Sequence, residues 1–209
     1  AAAKVMPPEN ILLSNRTRSK AEDLAKTLGC KACETAEVAA KADFIFLGVK
    51  PQMMAGLLDD LSPIFAARKD SFTLVSMAAG LPMETIQKMA GGDYPVIRIM
   101  PNTPVAVGSG MILYDATENV SEDALAQFCH GMGAGGMLDR LPEKLIDAGS
   151  AVAGCGPAFV SMFIEALADG AVACGLPRQK AIRYGAQMLA GTGKLALETG
   201  MHPGQIKDG

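Results

Sequence analysis

Aromatic bulk is scarce in this sequence. Of its 209 residues none is tryptophan, seven are phenylalanine and three are tyrosine, 5 % in all. Beside them stand 23 glycines, so close backbone packing and many tight turns are expected in place of large interlocking side chains. A charge excess is missing as well. Nineteen Lys and Arg against 22 Asp and Glu leave a formal net charge of −3, with both signs scattered along the chain, which argues against a nucleic acid or an anionic membrane surface as partner. No apolar run approaches the roughly 18 residues needed to span a bilayer, and no signal-peptide pattern opens the chain, so no membrane association is expected.

Histidine occurs only at 130 and 202, and neither His130 nor His202 has a carboxylate at suggestive spacing, which makes both poor general bases. The five cysteines, Cys30, Cys33, Cys129, Cys155 and Cys174, are an odd number at irregular intervals. That usage suits a reducing compartment, with the cytoplasm as the default. Cys30-Lys31-Ala32-Cys33 has CxxC spacing, but no second pair or nearby histidine completes a zinc set, and it follows a helix end where a redox motif would open one. No metal is expected.

Apolar residues make up 49 % of the chain, enough for one large domain or two small ones. Over the first two-thirds, strand and helix signals alternate. A short strand Ile11–Ser14 leads to a helix with Ser19 and Glu22 in capping-box spacing and Gly29 as its C-cap. A strand near Lys31 and Ala32 and a brief helix Glu34–Ala40 follow. The run Asp43–Val49 is continuously apolar after its first residue, as a strand covered on both faces should be. Then come a helix from Met53 to about Phe65, a strand Thr73–Ser76, a helix Met83–Met89 and a strand Val96–Met100. Strands Gly110–Tyr114 and Gly136–Arg140 flank a helix Ser121–Met132. Such alternation implies right-handed crossovers and a mostly parallel, doubly wound α/β sheet.

The character changes near Pro142. Beyond it only helical stretches are found, Leu145–Val152, Pro157–Cys174 and Pro177–Thr199, rich in Ala and Gly, with Pro157 and Pro177 at helix starts. With little bulk for a core of its own, this segment is expected to bury its faces against another copy, with small residues such as Ala168 and Ala171 at the contact. The division reads as 1–141 for the α/β domain and 142–209 for an all-α dimerisation domain.

In a doubly wound sheet, ligands bind at the carboxyl ends of the strands. Four such ends carry small or polar residues: Ser14-Asn15-Arg16-Thr17, Val49-Lys50-Pro51, Ser76-Met77-Ala78-Ala79-Gly80 and Met100-Pro101-Asn102-Thr103-Pro104. Ala78-Ala79-Gly80 offers no bulk, so a flat ring could lie against its backbone. At the end of the first strand nothing is acidic, and Arg16 among Ser and Thr suits a ribose 2′-phosphate better than a 2′-hydroxyl. The glycines of 131–136 follow a helix where a phosphate loop would follow a strand, so they read as a flexible connection.

Several strings occur together in order: VKP at 49–51, AAG at 78–80, IRIMPNTPVAVGSGM at 97–111, GCGPAF at 154–159, EALADGAVACGLPR at 165–178 and HPGQIKD at 202–208. Together they resemble the pyrroline-5-carboxylate reductases, over the whole chain. The resemblance implies a Rossmann domain followed by a helical domain that interlocks with a partner subunit in a homodimer or higher homo-oligomer. It implies reduction of 1-pyrroline-5-carboxylate to L-proline, the last step of proline biosynthesis, with NADPH as hydride donor and NADH possible. By resemblance, Asn15, Arg16 and Thr17 contact the adenosine phosphate, and Thr35 stands near the adenine ribose. Val49, Lys50, Pro51 and Ala78, Ala79, Gly80 run along the cofactor toward the nicotinamide. Asn102 and Thr103 lie beside the reacting centre, and Gly156 and Pro157 face it from a helix start. Cys155 replaces a serine common in the family. No residue is named as catalytic.

The family pattern also has a strand and a Gly-x-Gly-x-x-Gly-like turn ahead of ILLSNRT, and a Ser-Pro-Gly-Gly-Thr-type loop beyond HPGQIKD. Neither string is in the 209 residues, so ILLSNRT is expected to be the second strand of its sheet, and turnover is expected of a longer chain only. Two other readings stand beside this one. A β-hydroxyacid dehydrogenase shares the layout and needs a lysine acid/base, for which Lys194 or Lys207 could serve. A non-catalytic dimerising fragment needs no site at all.

Overall fold

In the computed structural model, which describes residues 5–209, the expected alternation becomes two β-sheets. Residues 1–4 of the expected α/β domain lie outside the described residues. Strands β1 (Leu12–Leu13) and β2 (Lys31–Ala32) pair in parallel, with Leu12 opposite Lys31. Strands β3 (Phe44–Leu47), β4 (Thr73–Ser76), β5 (Val96–Pro101), β6 (Gly110–Ala116) and β7 (Gly136–Arg140) form a second sheet in sequential order. The first three are parallel, β6 is antiparallel to β5, and β7 is parallel to β6.

Helices α1 (Arg18–Leu28), α2 (Thr35–Lys41), α3 (Pro51–Ala67), α4 (Met83–Ala90), α5 (Glu122–Met132) and α6 (Glu143–Ala153) connect and cover these strands. Helix α1 ends as read from the sequence, with Gly29 left-handed at φ 73° and its N–H on the Ala25 carbonyl. Its start differs. The helix begins at Arg18 after Thr17, with no side-chain cap, so Ser19 lies inside the first turn and forms no capping box. The Asn15 side chain accepts the Thr17 N–H at 2.9 Å, and this local turn sets the helix entry earlier.

Alternation along the strands gives the sheet two apolar faces. Ile45, Leu47, Leu74 and Val96 pack with Met54, Leu58, Leu61 and Phe65, which recur at helical spacing on α3, and with Ile86 of α4. Val75, Ile97, Ile99 and Ile112 pack on Phe128 of α5. Strand β4 is buried at all four positions, as a doubly covered strand should be. Strand β3 departs from that expectation: Phe46 is 46 % exposed, and among the described residues β3 has β4 alone beside it.

The glycine-rich connection is not loose. Gly133–Gly135 forms a 3-10 turn, and Gly136, at φ 139°, then lies in register with Gly110 of β6. A Cβ on Gly136 would overlap the Gly110 backbone, whereas one on Gly131 or Gly133 meets nothing within 4 Å. Gly136→Ala is expected to destabilise the α/β unit by at least about 1–3 kcal/mol from the strained backbone alone. Gly131→Ala, inside α5, is the control and should be neutral or stabilising. Equal melting temperatures for the two variants would refute the close approach.

The chain divides into two compact units at Cys155/Gly156, so α6, which follows the expected boundary near Pro142, belongs to the unit that contains the sheets. The second unit holds α7 (Gly156–Ala173), α8 (Arg178–Thr199) and α9 (Pro203–Asp208). Helices α7 and α8 form a hairpin around the left-handed Gly175. Their contact buries Ala168, Ala181 and Gly185, so Ala168 faces inward within the unit and not outward to a second copy. Phe159 (67 % exposed), Met162 (66 %) and Phe163 (50 %) stand open on α7. The segment Glu143–Ala173, taken through its break at Gly154 and Cys155, is long and apolar enough to cross a membrane by length and composition, and 6 % of that window is buried. This corrects the expectation that no such run exists: its glycines and alanines hide the length of the apolar stretch.

Candidate active site

Because β3, β4 and β5 run parallel side by side, their carboxyl ends share one edge of the sheet. That edge gathers three of the four strand ends singled out in the sequence. Val49 and Lys50 follow β3. Lys50 is the N-cap of α3 and Pro51 its first residue, placing an exposed ammonium group beside a helix N-terminus. After β4, Ala78 is buried and donates its N–H to Ser76 Oγ at 3.3 Å, while Ala79 and Gly80 are exposed. Gly80 is left-handed at φ 72°, and a Cβ there would meet nothing within 4 Å. The loop thus presents backbone and a methyl group and little else, a surface that fits a flat ring.

Asn102 follows β5 and is half-buried. Its Oδ1 accepts the Met111 N–H of β6 at 2.9 Å, and its Nδ2 donates to the Ala153 carbonyl at the end of α6, also at 2.9 Å. The carboxamide is therefore a tie between three elements. Thr103 is exposed at the start of a 3-10 turn, Thr103–Val107. Gly156 and Pro157 open α7 in the second unit.

The fourth strand end belongs to the small sheet. Ser14 Oγ and Thr35 Oγ1, beyond β1 and β2, lie 2.7 Å apart in a hydrogen bond. The pairing of β1 with β2 makes this contact between residues 21 apart, which local sequence gives no sign of. Asn15 is occupied with the Thr17 N–H. Arg18 Nε bonds Glu22 at 2.9 Å and its Nη1 bonds Glu34. Arg16 is exposed and makes no hydrogen bond or ion pair among the described residues. A guanidinium without a partner among the described residues, on the same strand-end segment as Ser14 and Thr17 and with Thr35 bonded to Ser14, can receive a phosphate ester and a ribose.

Close by, Glu37 accepts from Lys31 Nζ at 2.6 Å and Lys41 Nζ at 3.0 Å, and these bonds hold its carboxyl down at about 2. A depressed folded-state value adds stability above the ordinary value of 4.5, lost as pH falls toward 2. Glu37→Gln is expected to remove a small part of the acid-induced loss in that window, small because the group is solvated. Matched urea titrations at pH 5 and pH 3 would read it, and an identical pH dependence in both proteins would contradict it. Burial, with Glu37 next, raises the Cys33 thiol above its usual range.

The remaining polar candidates stand apart from the strand ends. His202 Nδ1 accepts the Gly204 N–H at 3.1 Å as the cap of α9, and His130 sits in the last turn of α5. Lys194 and Lys207 pair with Glu198 and Asp208 on exposed helix surface. Among the described residues no three His, Cys, Asp or Glu side chains converge on a metal-holding cluster. Sequence reading missed Arg98, Glu143 and Asp147, whose only signal was a charged residue inside an apolar strand.

Comparison with known proteins adds the following. Residues 143–209 match the family model for pyrroline-5-carboxylate reductase dimerisation, and residues 1–80 match that for NADP oxidoreductase, coenzyme F420-dependent. The chain is 38 % identical to pyrroline-5-carboxylate reductase of Synechocystis over 208 residues, 99 % of this chain and 76 % of that protein. It is 37 % identical to the Escherichia coli enzyme of that name over 209 residues, again 76 % of it. Among solved structures, Plasmodium falciparum pyrroline carboxylate reductase with NADP bound superposes with a TM-score of 0.86 at 26 % identity, covering 99 % of this chain and 75 % of that one.

Proposed function

The chain belongs to the pyrroline-5-carboxylate reductase family, and from that premise we propose how its own residues divide the work. It is an oxidoreductase that reduces 1-pyrroline-5-carboxylate to L-proline with NAD(P)H. The adenosine end of the cofactor lies on Asn15, Arg16, Thr17 and Thr35, with NADPH preferred and NADH usable. Val49, Lys50 and Pro51, then Ala78, Ala79 and Gly80, lead toward the nicotinamide. Asn102, Thr103, Gly156 and Pro157 serve the substrate, with Asn102 acting through the elements it ties together. The observation that supports this most is the common edge of β3, β4 and β5, which sets three of these segments side by side.

The bound cofactor supplies the hydride. A cyclic imine accepts hydride readily once its nitrogen is protonated, and water can deliver that proton, so no acid–base dyad is required of the chain. What the protein contributes is placement, holding donor and acceptor carbons within about 3–3.5 Å in a site shielded from water. This accounts for strand ends built from backbone, methyl groups and a tie such as Asn102.

Residues 1–141 form the dinucleotide-binding part and 142–209 the homodimerisation part, in a cytoplasmic protein whose open helical face meets a second copy and not lipid. The test is oxidation of NADPH by the native enzyme, with the product identified. One L-proline formed per NADPH consumed supports the reading. Oxidation with a 3-oxo acid and none with pyrroline-5-carboxylate would favour β-hydroxyacid dehydrogenase chemistry and overturn it.

A further inference from the structure

Strand β5 reads Val96-Ile97-Arg98-Ile99, and Arg98 is only 2 % exposed. Its neighbours Ile97 and Ile99 face α5, so Arg98 lies on the opposite face with Val96. Its Nη2 donates to Asp147 Oδ1 at 2.7 Å, and its Nη1 lies 3.5 Å from Glu143 Oε1, both on α6. Its Nε is buried with no hydrogen-bond partner among the described residues. A buried ion pair is weak evidence of stabilisation, since desolvation offsets the attraction, and an unsatisfied buried donor adds to the cost. Stability alone therefore does not account for an arginine here.

Its partner Glu143 has a second bond. Glu143 Oε1 accepts the Met83 N–H, the first amide of α4, at 2.7 Å. Helix α4 has no cap of its own, because the residue before it is Pro82 and makes no side-chain cap bond. A carboxylate 60 residues further along the chain thus does the work of a local cap. Glu143 is itself held from two sides: Arg98 faces its carboxylate, and its own N–H donates to Asp115 Oδ2 at 2.8 Å. Asp115 is the β6 residue in register with Arg98. Only Leu81 and Pro82 separate α4 from Gly80, so whatever fixes the start of α4 also fixes the loop Ala78–Gly80.

We propose that Arg98 is a positioning residue for the cofactor loop: it sets the Glu143 carboxylate that caps α4 and thereby holds Ala78–Gly80 in place. This rests on the reading above that the loop lies along the nicotinamide. A guanidinium suits the role because its planar fork reaches Asp147 and Glu143 at once, which the single ammonium of lysine does not.

The test uses the native enzyme with Glu143→Ala, Glu143→Gln and Arg98→Lys, read by amide hydrogen exchange, NADPH binding and steady-state kinetics. In Glu143→Ala the Met83 amide should exchange roughly ten- to a hundredfold faster. NADPH should bind about tenfold more weakly and kcat should fall, while KM for pyrroline-5-carboxylate stays near native. Glu143→Gln keeps an oxygen for the Met83 N–H and should restore most of both protection and NADPH affinity. Arg98→Lys should loosen the Met83 amide with Glu143 intact, and if it fails to fold the two Glu143 variants still decide the matter. A Met83 amide that opens without any change in NADPH affinity or kcat would make the network a fold element only, and an amide unaffected by Glu143→Ala would remove the cap itself; either result overturns the proposal. Failure of the native enzyme to bind or oxidise NADPH would instead sink the functional reading, whatever the Met83 amide does.

Discussion

Phe163→Asp is expected to convert the native homo-oligomer into monomers at concentrations where the wild type remains assembled. Phe159, Met162, Phe163 and Leu167 recur at three- and four-residue spacing on α7, and all four are open to solvent in the isolated chain. The α7–α8 hairpin buries chiefly Ala168, Ala181 and Gly185, too little apolar area to hold two long helices in water. The match of 143–209 to a dimerisation model supports a second copy as the cover for the rest. An uncompensated charge in such an interface costs about 3–5 kcal/mol, which raises the dissociation constant roughly two to three and a half orders of magnitude. Light scattering across a dilution series reads this directly. Ala168→Leu separates the interface from the hairpin: it overpacks a buried position within one chain and should lower the melting temperature through a cost of about 1–3 kcal/mol. An unchanged mass for Phe163→Asp would place the interface on another surface.

Arg16→Ala is expected to lower the ratio of NADPH to NADH affinity by roughly ten- to a hundredfold. A hydrogen bond to a charged group contributes about 1.5–3 kcal/mol, and a guanidinium can offer a phosphate two of them. NADH has no 2′-phosphate to lose. The neighbouring Arg18 is the obvious competitor, but its fork is engaged by Glu22 and Glu34, whereas Arg16 has no partner among the described residues. Arg18→Ala should therefore change the ratio less than Arg16→Ala does. Fluorescence titration of both cofactors against the three proteins gives the ratios. Equal ratios for native and Arg16→Ala would mean that this strand end does not discriminate between the cofactors.

The parts of the molecule legible in sequence were those written locally. A continuous apolar run marked β3, short strand signals marked β4 and β5, and Gly29 marked the end of α1. The proline-opened Ala- and Gly-rich stretches marked α7 and α8. What sequence hid was written across the chain. Ser19 and Glu22 have capping-box spacing, yet the side chain of Asn15 sets the helix start first. Phe46 reads as buried because an apolar run cannot say which of its residues the rest of the described chain covers. Ser14 meets Thr35, and Glu143 caps α4, only through sheet register and helix packing, and such pairs leave no mark in either local stretch. Asn102 was legible as a polar residue at a strand end, but not the fact that both ends of its carboxamide are already bonded.

The open face of α7 carries a consequence of its own. A helical face that is its own complement closes when two copies meet, so association stops at a fixed stoichiometry instead of growing without limit.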